Sequence, residues 1–105
     1  MEEKEEGVMI FENPKARRQL LEKGLVYTFR KHPHKEGRDW ASAYRGGPKI
    51  ADIYVKVVGR MRPIDLAPYV KDSGFDSLQE WIEAIRQFGI APQEYGYLHE
   101  VILKK

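Results

Sequence analysis

The sequence predicts an α+β fold in which several strands form one curled or closed sheet and two main helices flank it. Two observations favour this class: several segments alternate apolar and polar residues, and only two segments carry apolar residues at helical spacing. The helices do not alternate regularly with the strands, so repeated βαβ units are not expected. The chain has 105 residues, enough for one domain, which we assign to residues 7–105. Residues 1–6 are almost all charged and are predicted to be a disordered acidic tail.

The first predicted elements follow one another with little linker. An apolar strand is expected at residues 8–11. Asn13 is expected to cap a helix that has Pro14 at its first position and that ends at Gly24. The next strand then runs from Gly24 to Lys31.

The middle of the chain predicts two more strands. A short one is expected at residues 40–44, and Gly46-Gly47-Pro48 marks a turn after it. The clearest strand of the chain runs over residues 50–60. A turn or helical piece is expected at residues 64–70, followed by a loop at residues 71–76.

The second helix is the best specified element. Ser77 and Glu80 form a capping-box pattern at its start, and Gly89 ends it. Its apolar residues are Leu78, Trp81, Ile82, Ile85 and Phe88. We expect this face to share a single core with Ile53, Val55 and Val57 of the long strand, and a last strand over residues 95–103 closes the chain.

The strand after the first helix carries the candidate site. Alternation places Val26, Thr28 and Arg30 on one face of it, beside Gly24. A glycine allows close approach of a ligand, a hydroxyl donates or accepts, and a guanidinium suits phosphate, so the pattern predicts a polyanion site. The alternative is that the glycine only caps the helix and the arginine is only solvated.

Charge is distributed unevenly along the chain, although its net charge is +2. Residues 15–62 carry thirteen Lys and Arg against four acids, whereas residues 63–103 carry two against seven. Cations with interleaved aromatic residues are typical of nucleic-acid binding, and the alternatives are a solvated surface or a protein-interaction module using the acidic helix face. The cations expected to attract RNA beside Arg30 are Lys31, Arg38, Arg45 and Lys49.

The order of these motifs resembles the ASCH domain family, which has a PUA-like β-barrel. The resemblance covers residues 8–104 and rests on Gly24, on Thr28 with Arg30, and on the run from Gly74 to Trp81. It implies a small barrel with a cleft, lined by the Gly, Thr and Arg positions, that binds RNA or a nucleotide. It implies binding more securely than catalysis.

One departure from the family pattern concerns activity. Some ASCH proteins are acetylcytidine amidohydrolases that use a Lys, a Thr and a Glu, and the Lys position here is Leu25. Thr28 remains, but a hydroxyl without an adjacent base is a poor nucleophile. We therefore expect a binding module and not an amidohydrolase. The alternative is an amidohydrolase-like enzyme acting on a modified nucleoside in the same cleft, in which Lys23 or Lys31 would have to replace the missing base by another route.

The sequence also allows predictions about cofactors, membrane association and cellular compartment. No cofactor is expected, and no metal either, because nothing in the sequence brings His99 to the loop that carries His32 and His34. The chain lacks Cys and any long apolar run, which predicts a cytoplasmic protein without a membrane partner. Its many charged residues and single Asn lean toward a heat-adapted source.

Overall fold

The computed structural model describes residues 8–104, so the predicted acidic tail at residues 1–6 lies outside the described residues. The α+β class is confirmed, with two α-helices and two short 3₁₀ helices around one sheet. The elements in chain order are β1 (Met9–Ile10), α1 (Pro14–Lys23), β2 (Leu25–Arg30), β3 (Gly37–Ser42), β4 (Lys49–Met61), 3₁₀ helices at Pro63–Asp65 and Ala67–Asp72, α2 (Leu78–Gln87) and β5 (Gly96–Leu103).

The five strands form a curled half-barrel sheet in the order β1-β3-β4-β5-β2. β1 pairs with β3 in parallel, and the other neighbours are antiparallel. β1 and β2 are therefore the two edge strands, and α1 connects them along the chain. β3 begins three residues before its predicted start, and it ends early because of the turn in which Gly47 N–H donates to Tyr44 O.

Local capping explains both ends of α1 as predicted. Asn13 Oδ1 accepts from the backbone N–H of Lys15 at 2.9 Å and of Ala16 at 3.4 Å. Gly24 ends the helix with φ +80° and donates its N–H to Leu20 O at 2.9 Å. Glycine adopts this left-handed conformation without steric cost, so the capping role of Gly24 is confirmed.

α2 begins as predicted and ends sooner than its apolar pattern suggests. The Ser77 hydroxyl accepts from Glu80 N–H at 3.1 Å, while Glu80 Oε1 accepts from Asp76 N–H at 2.9 Å. Phe88 lies at the C-cap, beyond the last helical turn, and its side chain is 62% exposed. The predicted place of Phe88 in the core is therefore wrong.

The buried residues form two cores on opposite faces of the sheet, so the single shared core predicted from the sequence is wrong. We call them the α1 core and the α2 core after the helix that covers each. The α1 core contains Met9, Phe11, Ala16, Leu20, Val26, Ala41, Ile53, Val55 and Val101. The α2 core contains Phe29, Leu66, Phe75, Trp81, Ile85, Ile90 and Leu98. Alternation along β2 and β5 is the physical reason, because neighbouring residues of a strand point to opposite faces.

Truncation of Trp81 tests the α2 core. Its side chain is 3% exposed and stacks on the Phe75 ring with centroids 6.4 Å apart. We expect Trp81→Ala to lower the free energy of unfolding by about 3 to 5 kcal/mol in urea titrations, since it leaves a cavity. The exposed Phe88→Ala is the control and should change that free energy by no more than about 0.5 kcal/mol. Equal losses in the two variants would contradict this division between core and surface.

Candidate functional site

A cleft of about 420 Å³ runs along the outer edge of β2, the edge that does not pair with β5. Residues around β1 form one wall, and α2 with the residues after it forms the other. The cleft is thus bordered by parts of both cores. Its lining includes one acid, Glu12, together with Phe11, Asn13, Tyr27, Thr28, Phe29, Arg30, Lys31, His34, Arg45, Trp81 and Phe88.

Backbone groups of β2 face this cleft. Leu103 N–H donates to Gly24 O at 2.9 Å, which sets the alternation of hydrogen-bonded pairs between β2 and β5. By that alternation Thr28 bonds to β5, whereas the N–H and C=O groups of Tyr27 and Phe29 point away from it. An open strand edge of this kind offers donors and acceptors to a ligand.

Arg30 is the central side chain of the cleft. Its Nε donates to Thr28 Oγ1 at 3.2 Å, and its guanidinium carbon lies 5.1 Å from the centroid of the Phe11 ring. Burial lowers the pKa of Arg30 to about 10, so the group is still charged at neutral pH. Within residues 8–104 no carboxylate lies at ion-pair distance from it. The cleft therefore holds a partly buried positive charge that an anion would neutralise.

Further cations stand at the rim of the cleft. Lys31 is exposed, and its Nζ lies 3.8 Å from Glu94 Oε2. Arg45 is exposed as well and has no ion-pair partner in the described part of the chain. Together with Arg30 they outnumber Glu12, the acid in the described lining, so the cleft favours anions.

The structure brings together only part of the predicted site. Thr28, Arg30, Lys31 and Arg45 all line the cleft, whereas Gly24 lies outside its lining at the end of α1. Arg38 and Lys49 are elsewhere too, because β3 and β4 carry them away from the open edge of β2. Arg38 lines a second groove, and Lys49 Nζ is 3.1 Å from Asp52 Oδ1.

A histidine network beside the cleft overturns the expectation that His99 stays apart from the loop. His34 N–H donates to His99 Nε2 at 2.9 Å, and His34 Nε2 is 2.6 Å from Asp39 Oδ2. β5 pairs with β2 and sets His99 opposite Thr28, which brings His99 to the base of the loop. The sequence carries no signal for this long-range pairing. Within residues 8–104 no group of three or more His, Cys, Asp or Glu is placed so that it could hold a metal ion.

His99 is fully buried and uncharged. Burial and the neighbouring charge of Arg30 lower the pKa of His99 to about 4. Because Nε2 accepts a hydrogen bond, Nδ1 carries the proton, and it has no hydrogen-bond partner among the described residues. The neutral ring fixes the loop without placing a second positive charge against Arg30.

The aromatic side of the cleft was not expected from the sequence. Phe88 and Trp81 both line it, one exposed and one buried. Their helical spacing predicted core residues, and only the position of Phe88 at the C-cap shows that its ring is free for a ligand.

No helix among the described residues is long and apolar enough to cross a membrane.

Comparison of the chain with protein-family models, curated proteins and solved structures gives no match. The resemblance to the ASCH family stays a prediction. Function is therefore inferred from the cleft and from the charge of Arg30.

Replacing Arg30 by an uncharged residue of similar length tests whether its charge costs stability. A partly buried charge without a carboxylate partner among residues 8–104 is unfavourable, and the contact with Phe11 offsets only part of that cost. We expect Arg30→Met to raise the free energy of unfolding by about 1 kcal/mol, measured by urea titration at pH 7. The exposed Arg38→Met is the control and should leave it nearly unchanged. A clear loss of stability in Arg30→Met would show that the guanidinium is compensated within the fold.

The depressed pKa of His99 predicts a pH dependence of stability. The folded value of about 4 lies below the ordinary 6.5, so unfolding takes up a proton between these two pH values. The contribution is fully present above pH 6.5 and is lost as the pH falls toward 4, with a total of about 3 kcal/mol.

His99→Gln provides the comparison, because its side-chain oxygen accepts the same hydrogen bond but does not titrate. We expect the free energy of unfolding of the native chain, minus that of His99→Gln, to fall as the pH is lowered through this window. Parallel curves for the two proteins would contradict a neutral, buried His99.

Proposed function

We propose that the cleft binds RNA or a nucleotide, with a phosphate group on Arg30. The observation that carries this proposal is a partly buried guanidinium with no carboxylate partner among residues 8–104. Its Nε donates to Thr28 Oγ1, which holds the guanidinium plane, and within residues 8–104 both terminal nitrogens remain for a ligand. Such a planar pair of donors matches the oxygens of a phosphate.

The rest of the cleft supports a nucleotide over a simple anion. A volume of about 420 Å³ falls in the range of small-molecule sites. The exposed ring of Phe88 offers a face on which a base stacks, and the free backbone groups of Tyr27 and Phe29 offer hydrogen bonds to its edge. At the level of family, the same proposal is that the chain is an ASCH-like module with a PUA-like fold that binds RNA.

The alternative functions find less support in the geometry. Leu25 and Lys23 lie outside the lining of the cleft, and Lys31 lines it with its Nζ 3.8 Å from Glu94 Oε2. The Thr28 hydroxyl accepts from Arg30, and no general base is bonded to it in the described residues. The acids of α2 are engaged as well, Glu80 with Lys15 and Glu83 with Arg86. We therefore favour a binding module over an amidohydrolase or an acidic docking face.

Truncation of Arg30 tests the proposal directly. We expect Arg30→Ala to weaken binding of uridine 5′-monophosphate and of an eight-residue oligouridylate by about 1 to 3 kcal/mol. Lys31→Ala should mainly lower the salt dependence of oligonucleotide affinity, by about one unit of slope. Isothermal titration calorimetry and fluorescence anisotropy at several salt concentrations measure the two effects.

Arg86→Ala is the matched control, because Arg86 is exposed on α2 and lies outside the lining of the cleft. It should leave both affinities close to those of the native chain. If Arg30→Ala and Arg86→Ala have equally small effects, the basic half of the chain is a solvated surface without an organised site.

A further inference from the structure

We propose that the ligand is a single strand of RNA that continues from the cleft across the 31–36 loop into a second groove. This inference rests on the proposed function and deepens it, because it chooses a strand over a free mononucleotide. The observations that carry it are the composition of the second groove, its position, and the fixed conformation of the loop between the two.

The second groove has a volume of about 410 Å³, and its lining has more cations than acids. Lys35, Arg38 and Lys104 have no ion-pair partner in the described part of the chain. Of its two acids, Asp39 is 1% exposed with Oδ2 2.6 Å from His34 Nε2, and Asp52 is 53% exposed and pairs with Lys49, so the three cations outnumber the acids. The groove therefore complements a polyanion.

The two depressions meet at the loop. His34 lines the first cleft and Lys35, its neighbour in the chain, lines the second groove. Consecutive Cα atoms are about 3.8 Å apart, so both depressions border the same loop, and we take the crest of this loop as the path between them. Lys31 stands on the cleft side of the crest and Arg38 on the groove side. A strand that leaves Arg30 over the crest meets cations on both sides.

The loop is held at three points by the sheet. Its His34 is bonded to His99 of β5 and to Asp39 of β3, and Glu36 Oε2 accepts from Val57 N–H of β4 at 2.8 Å. These bonds fix the offset between the cleft and the second groove. Because the surface is already formed, binding across it costs the protein little conformational entropy. This favours a ligand long enough to contact both the cleft and the second groove.

Each depression also contains an aromatic residue suited to an unpaired base. Trp40 lies in the second groove and is partly exposed, as Phe88 is exposed in the first. Stacking on such rings needs bases that are free of a complementary strand. The pattern of cations and one ring per depression therefore fits single-stranded RNA better than a duplex.

A length series tests the inference with ligands of one chemistry. Binding of uridine 5′-monophosphate and of oligouridylates of increasing length is measured by calorimetry at constant salt. We expect affinity to rise by about tenfold or more once the oligonucleotide is long enough to reach the second groove. Lys35→Ala/Arg38→Ala should abolish that gain and leave monophosphate affinity unchanged. In a salt series, the same variant should lower the salt slope by about 0.7 for each phosphate that the protein no longer neutralises.

Lys71→Ala/Arg86→Ala removes the same charges outside the lining of both depressions and should retain the gain with length. If the monophosphate binds and longer oligonucleotides bind no more tightly, the strand inference is overturned and the proposed function stands. If neither ligand binds, the proposed function fails and the inference falls with it. Tighter binding of an RNA duplex of the same length would also overturn the choice of a single strand.

Fluorescence locates the strand, because Trp40 and Trp81 are the two tryptophans of the chain. In Trp81→Phe the emission comes from Trp40 alone, and we expect quenching by an oligouridylate but not by the monophosphate. If Trp81→Phe does not fold, the emission of Trp40 is obtained by subtracting the emission of Trp40→Phe from that of the native chain. Quenching of Trp40 by neither ligand, or by both, would contradict the path through the second groove.

Discussion

The pairing of β2 with β5 is the constraint on which the rest of the structure depends. It places Thr28 opposite His99, and its alternation sends Val26 into the α1 core and Phe29 into the α2 core. The same pairing uses one edge of β2 and leaves the other open along the cleft. Gly96 makes the pairing close, since a Cβ there would lie 2.7 Å from both Arg30 O and the Phe29 ring.

Arg30 shows how a binding site and a stable fold compete. The strand that buries Val26 and Thr28 also carries the guanidinium toward the cleft, where burial lowers its pKa and no described carboxylate neutralises it. Selection for stability alone would favour either an acid paired with Arg30 or an apolar residue in its place. The neutral state of His99 limits the cost, because a protonated ring would add a second positive charge to the same region.

Features with local causes could be predicted from the sequence, and features with long-range causes could not. The caps at Asn13, Gly24 and Ser77 follow from residues a few positions away, and the structure has them where the sequence predicts them. Thr28 and Arg30 share one face because alternation is local as well. The contact between His34 and His99 joins residues that are 65 positions apart in the chain, for which the sequence has no signal. The same reason explains why charge counted along the chain misplaced Arg38 and Lys49.

The open edge of β2 has a consequence for how the cleft recognises a ligand. The hydrogen-bonding groups of Tyr27 and Phe29 in the cleft belong to the backbone, so their presence depends on the pairing of β2 and not on the identity of these side chains. Side-chain motifs can therefore describe only the charged part of the site, which is Arg30 with Lys31 and Arg45. A substitution that shifts the register of β2 would remove both parts together, because it would turn Arg30 to the opposite face of the sheet. Recognition and fold are for this reason linked through one strand.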